Sequence, residues 1–147
     1  MQTSKELATG SWVNDAFVTM PWFFPDEVTA SREGLLDALS AQPLWAPALW
    51  VLECATVLQS VQRRSRIDSN RLVEIASELD ALPVRVDNEP LAMLAFDRLG
   101  ATHGLSAYDA AYIDLALRCF LTRVSLEARL VTATKALGHP VLTAATA

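Results

Sequence analysis

The sequence predicts an α/β domain built on a short parallel sheet. Long segments with apolar residues at helical spacing alternate with very short β-branched or apolar runs, and turn signals separate the two. Such alternation is what crossover units produce, because parallel strands are joined through a helix. With 147 residues, one core burying roughly 70% of the unfolded chain's surface is the default. The 52% apolar and 20% charged content excludes disorder and fibrous architectures.

Taken in order, Ser11–Asn14 reads as the first strand on Trp12 and Val13, with Asn14 placing an amide where an apolar residue is expected. Helices over Ala16–Phe24 and Thr29–Ala41 follow, divided by the turn Phe24-Pro25-Asp26. Leu44–Ala46 forms the second strand, and past Ala46-Pro47 the pattern gives a helix over Leu49–Arg63. Asp68 precedes the stripe Leu72/Ile75/Leu79 and caps a helix over Asp68–Ala81. Pro83–Val86 is the third strand and Glu89–Ala101 the next helix, closed by Thr102-His103-Gly104. Ser106-Ala107-Tyr108-Asp109 has the form of a capping box and opens Ala107–Phe120. Thr122–Ser125, a helix over Leu126–Leu137, the turn Gly138-His139-Pro140 and a strand at Pro140–Leu142 complete the chain.

No run reaches 18 apolar residues, and residues 1–10 carry Lys5 and Glu6, so neither a membrane span nor a signal peptide is expected. Cys54 and Cys119 each sit in an apolar helical pattern and read as buried free thiols, which fits the cytoplasm. The net charge of −5 is unhelpful for holding RNA by phosphate contacts alone. If four carboxylates surround a metal, however, the remaining 13 acidic groups of the 17 face 12 basic ones. The acidity then belongs to a site and not to the surface.

Four acids stand out. Glu53 lies among Leu49, Trp50, Val57 and Leu58, where a carboxylate must be ion-paired, protonated or metal-bound. Asp15 follows the first strand, at the end where open parallel sheets bind ligands, but it also makes a good N-cap. Asp109 is equally the third-position partner of Ser106, and Glu127 complements the positive end of the last helix. Each local reading stands by itself; none explains why four acids recur at related places, two at strand-to-helix junctions, one at a helix start and one on an apolar helix face.

Val13-Asn14-Asp15-Ala16-Phe17-Val18, followed by Trp22-Phe23-Phe24-Pro25-Asp26-Glu27, resembles the opening of PIN-domain ribonucleases of the VapC toxin type, from type II toxin–antitoxin systems. Ala46-Pro47-Ala48-Leu49-Trp50 leading to Glu53 is similar to their second motif. Gly104-Leu105-Ser106-Ala107-Tyr108-Asp109-Ala110-Ala111-Tyr112 is similar to the third and is the most specific match. Ser125-Leu126-Glu127-Ala128-Arg129-Leu130 resembles the fourth, where the family usually has Thr-x-Asp. The resemblance runs in order over about residues 11 to 143, leaving residues 1–10 as an extension of a single domain over 11–147.

What the resemblance implies is a three-layer α/β/α domain, with a central parallel sheet of about five strands flanked by about seven helices. It implies a Mg²⁺-dependent endoribonuclease, Mn²⁺ substituting, in which Asp15, Glu53, Asp109 and Glu127 hold metal and Ser125 supports them. A cognate antitoxin and a homodimer are the implied partners. Such a site suits magnesium, which takes oxygen ligands, lowers the pKa of bound water and screens the attacked phosphate. Three departures matter: Phe17 stands where the family has a small hydroxyl or amide residue, Glu127 reaches one methylene further than Asp, and Asn14 replaces an apolar residue. They open the alternative of a weakened or inactive PIN-like module that binds an antitoxin-like partner.

Other features have local readings. Asp114 pairs with Arg118 at i+4, Arg63-Arg64-Ser65-Arg66 offsets a helix dipole or meets phosphate or an acidic segment, and His103 and His139 are turn residues. Trp22, Phe23, Phe24 and Trp45 are core or groove. A phosphoacceptor receiver also places acids at strand ends, but Lys135 lies deep in the last helix and not after a late strand.

Overall fold

The structure is a computed structural model describing residues 11–24, 30, 33, 37, 43–90, 92–125 and 127–143. Its strands are β1 (Trp12–Val13), β2 (Leu44–Pro47), β3 (Val84–Asp87), β4 (Thr122–Val124) and β5 (Val141–Leu142). The helices are α1 (Ala16–Thr19), a 3₁₀ turn over Met20–Phe23, α2 (Leu49–Arg63), α3 (Ser69–Ala81), α4 (Met93–His103), α5 (Ala107–Cys119) and α6 (Ala128–Ala136). No helix among the described residues is long and apolar enough to cross a membrane.

All strand pairs are parallel and the order is β3-β2-β1-β4-β5. The chain builds outward from β1 in one direction and then restarts at β4 on its other side. That reversal leaves a crevice beyond the carboxyl ends of β1 and β4, the place where open α/β sheets bind ligands. Val13 pairs with Trp45 on one side and Arg123 on the other. Strands this short are held by what covers them.

The largest apolar cluster joins Val13 and Ala46 to Trp50, Cys54, Leu58 and Val61 of α2, which recur at helical spacing, and to Ile75 and Leu79 of α3. Tyr112, Leu115 and Ala116 of α5 close it. A second cluster packs Leu99 of α4 against Ile113 of α5 and Leu130 and Ala133 of α6.

Several boundaries differ from the sequence reading. The expected helix over Ala16–Phe24 breaks after Thr19, because Pro21 has no N–H for the α ladder and the chain tightens into 3₁₀ geometry. The expected helix from Glu89 starts at Met93, beyond Pro90, and runs on to His103, where Gly104 takes the left-handed conformation at φ 64°. α6 begins at Ala128, not at position 126. β1 ends at Val13, with Asn14 still donating its N–H to the Trp45 carbonyl at 3.3 Å. The caps follow expectation: Asp68 accepts from the Arg71 amide at 2.8 Å and Ser106 from the Asp109 amide at 3.1 Å. Of the helix expected over Thr29–Ala41, Ala30, Glu33 and Asp37 are helical and the rest lies outside the described residues.

Candidate functional site

Of the four acids, Asp15 stands at the crevice between β1 and β4 and faces Arg123 across it. Asp15 leaves β1 and caps α1, its Oδ1 accepting from the Val18 amide at 2.9 Å, and it is 4% exposed. The N-cap reading is therefore correct, and the carboxylate has a second use. Its Oδ2 accepts from Nη2 of Arg123 at 3.0 Å. Arg123 comes from the middle of β4 and is 0% exposed. Its Nη1 donates to the carbonyls of Val13 and Val124, and its guanidinium lies 4.9 Å from the centre of the Tyr112 ring.

Tyr112, on α5, donates its hydroxyl to Oε1 of Glu53 at 2.6 Å. Burial raises the Glu53 carboxyl above its ordinary range; the Tyr112 bond opposes this, the charges of Asp15 and Asp109 add to it, and the Arg123 charge opposes it. Asp15 and Asp109 thus both lie within electrostatic reach of Glu53. Burial, and then the bond to Glu53, push the Tyr112 phenol upward, so it remains a donor. Burial also pushes the Cys54 thiol up to about 12, with Glu53 and Asp15 adding to the effect.

Asp109 stands in the first turn of α5, where its Oδ2 accepts from Nη2 of Arg129 at 3.0 Å. The same Nη2 lies 3.9 Å from Oε2 of Glu127, so Arg129 straddles the last two expected acids. Glu127 precedes α6 and makes no side-chain cap. Its amide donates to Oγ of the fully buried Ser125 at 3.2 Å, which fixes the turn after β4. Asn14, also fully buried, donates to Oγ1 of Thr19 at 2.7 Å, so the amide that looked misplaced in the sequence ties β1 to α1.

Magnesium needs several oxygens converging at octahedral angles. Among the described residues no three Asp, Glu, His or Cys side chains are grouped closely enough to hold a metal ion. Asp15 is bound instead to Arg123, Glu53 to Tyr112, and Asp109 to Arg129. As arranged, the four acids do not fit a divalent shell.

Two open clefts flank the site and share Ala16, Phe17 and Val57. One, of about 360 Å³, is bounded by Leu49, Leu52, Glu53 and Tyr108. The other, of about 430 Å³, runs past Met20, Phe24, Arg64 and Arg66 to Glu127. Phe17, between them, is 58% exposed. The Arg63-Arg64-Ser65-Arg66 segment therefore borders a cleft as well as ending α2. Asp114 meets Arg118 at 2.7 Å as expected, and Arg118 also binds Asp87 at the end of β3.

Sequence reasoning overlooked Arg123, Tyr112 and Arg129. The first left a signal: a charged residue between Thr122 and Val124, inside a three-residue parallel strand that must be buried, requires an acid to face it.

No family model matches the chain, and no curated protein matches it. Solved structures do. It is similar to the crystal structure of FitAcB from Neisseria gonorrhoeae, with a TM-score of 0.68 and 15% identity over 92% of this chain and 99% of that one. It is also similar to PAE2754 from Pyrobaculum aerophilum, with a TM-score of 0.63 and 20% identity over 93% and 92%. At these identities the likeness shows the fold, and that fold is consistent with a PIN-like domain.

Proposed function

We propose that the chain is the toxin-type member of a toxin–antitoxin pair: a PIN-like domain, weakened or inactive as a nuclease, that binds an antitoxin-like protein. The observation that carries this reading is the separate engagement of Asp15, Glu53 and Asp109, held by three different protein donors, with no three of the acids grouped around a common point. Phe17, standing where the resemblance leads one to expect a small polar residue, gives the face beside the acids an apolar ridge between two clefts. A partner segment with apolar side chains would seat there.

A second reading is the full Mg²⁺-dependent endoribonuclease, with Asp15, Glu53, Asp109 and Glu127 as ligands and catalytic groups, Ser125 supporting them, and a homodimer acting on RNA in the cytoplasm. What favours it is that the charges of Asp15 and Asp109, from two other elements, both act on Glu53. It requires Arg123 and Arg129 to release their carboxylates.

Calorimetric titration of Mn²⁺ into the folded chain and into its Asp15→Asn and Asp109→Asn variants separates the two. The weakened module gives no binding in the parent. Binding in the parent that both variants lose would establish the nuclease reading and direct the search to its RNA.

A further inference from the structure

We infer that Arg123 is a resident counter-ion: its guanidinium supplies, inside the β1–β4 crevice, the positive charge that a divalent ion would otherwise bring. This inference stands on the geometry of one side chain and is independent of any antitoxin. The crevice lies between two strands that restart the sheet, and Arg123 spans it. Its Nη1 donates to the carbonyl of Val13, the last residue of β1, and to that of Val124, the last of β4, while Nη2 holds Asp15. The same cation lies over the Tyr112 ring, whose hydroxyl holds Glu53. One buried charge therefore serves two acids, the first by direct contact and the second through an aromatic ring it polarises.

Arginine suits this post better than lysine. Its planar fork reaches two carbonyls and a carboxylate at once, it stays charged, and it is less strongly hydrated than an ammonium. What it cannot do is act as a Lewis acid on water. A crevice neutralised this way keeps its shape and has no means of generating a hydroxide at neutral pH.

A double-mutant cycle on urea unfolding, run with EDTA and again with excess MnCl₂, tests this. Arg123→Met keeps the length of the stem and strands Asp15 as an unpaired buried carboxylate. In EDTA the folded-to-unfolded ratio should fall roughly 100-fold or more. Adding Asp15→Asn should regain at least roughly ten-fold, because Asn still caps α1 through its oxygen while carrying no charge. The unfolding midpoint of the parent should be the same in EDTA and in MnCl₂.

If Arg123→Met is too unstable to measure, the Arg123→Met/Asp15→Asn chain decides: it should fold where the single variant does not. An Arg123→Met loss of equal size with or without Asp15→Asn overturns the inference, whatever the domain binds. So does failure of the double variant to fold. A MnCl₂-dependent rise in the parent midpoint that Asp15→Asn abolishes overturns it together with the weakened-nuclease reading.

Discussion

Removing one oxygen from Tyr112 should expose how Glu53 is held half-buried at the cleft wall. In Tyr112→Phe the ring remains beneath Arg123, and only the 2.6 Å bond to Glu53 is lost. A hydrogen bond to a charged group contributes about 1.5–3 kcal/mol. Glu53 is only half-buried, so water replaces part of that, and the net loss should be about 1–1.5 kcal/mol at neutral pH. This is roughly a ten-fold change in the folding equilibrium and about 4 °C in the melting midpoint for a domain of this size.

The pH dependence gives the sharper signature. Glu53 has a folded pKa raised above its ordinary 4.5, chiefly by burial, so stability present below that pH is lost as pH rises through the folded value. The Tyr112 bond opposes the rise. Without it the folded pKa climbs further, and the variant sheds more stability over the same interval. The deficit of Tyr112→Phe should therefore grow from acid to neutral pH and then level off. Thermal unfolding followed by circular dichroism across that range measures it, and a deficit that is absent at neutral pH or constant throughout would refute the account.

Other consequences follow from the same geometry. Ser106→Ala removes the cap of α5 and should lower stability by about 1 kcal/mol in urea unfolding, with Ser106→Asp largely retaining it. Cys54, buried and with its thiol pushed up to about 12, should resist Ellman's reagent at mildly alkaline pH until the chain unfolds, while the partly exposed Cys119 reacts first. Phe17→Ser and Leu52→Ser, both on exposed side chains, should shift stability by less than about 0.5 kcal/mol. If the ridge seats a partner, those two substitutions should weaken a co-expressed antitoxin's hold, read by co-purification.

The sequence by itself determined the order and kind of the elements. Alternation of long periodic segments with short apolar runs gave parallel strands with helices between them, and Asp68 and Ser106 marked helix starts because capping is local chemistry. It also singled out Asp15, Glu53, Asp109 and Glu127 as acids needing an explanation, Glu53 most of all because Leu49, Trp50 and Leu58 surround it in sequence. Where local rules conflicted, boundaries moved: Pro21 broke the first helix and Pro90 delayed the fourth.

Only the tertiary structure decided what each acid faces. Arg123 lies 108 positions from Asp15, and Tyr112 lies 59 from Glu53. No local spacing relates such pairs. They meet because the sheet order sets β4 beside β1 and brings α5 across them, so that the charge balance of the crevice is a property of the topology and not of any motif.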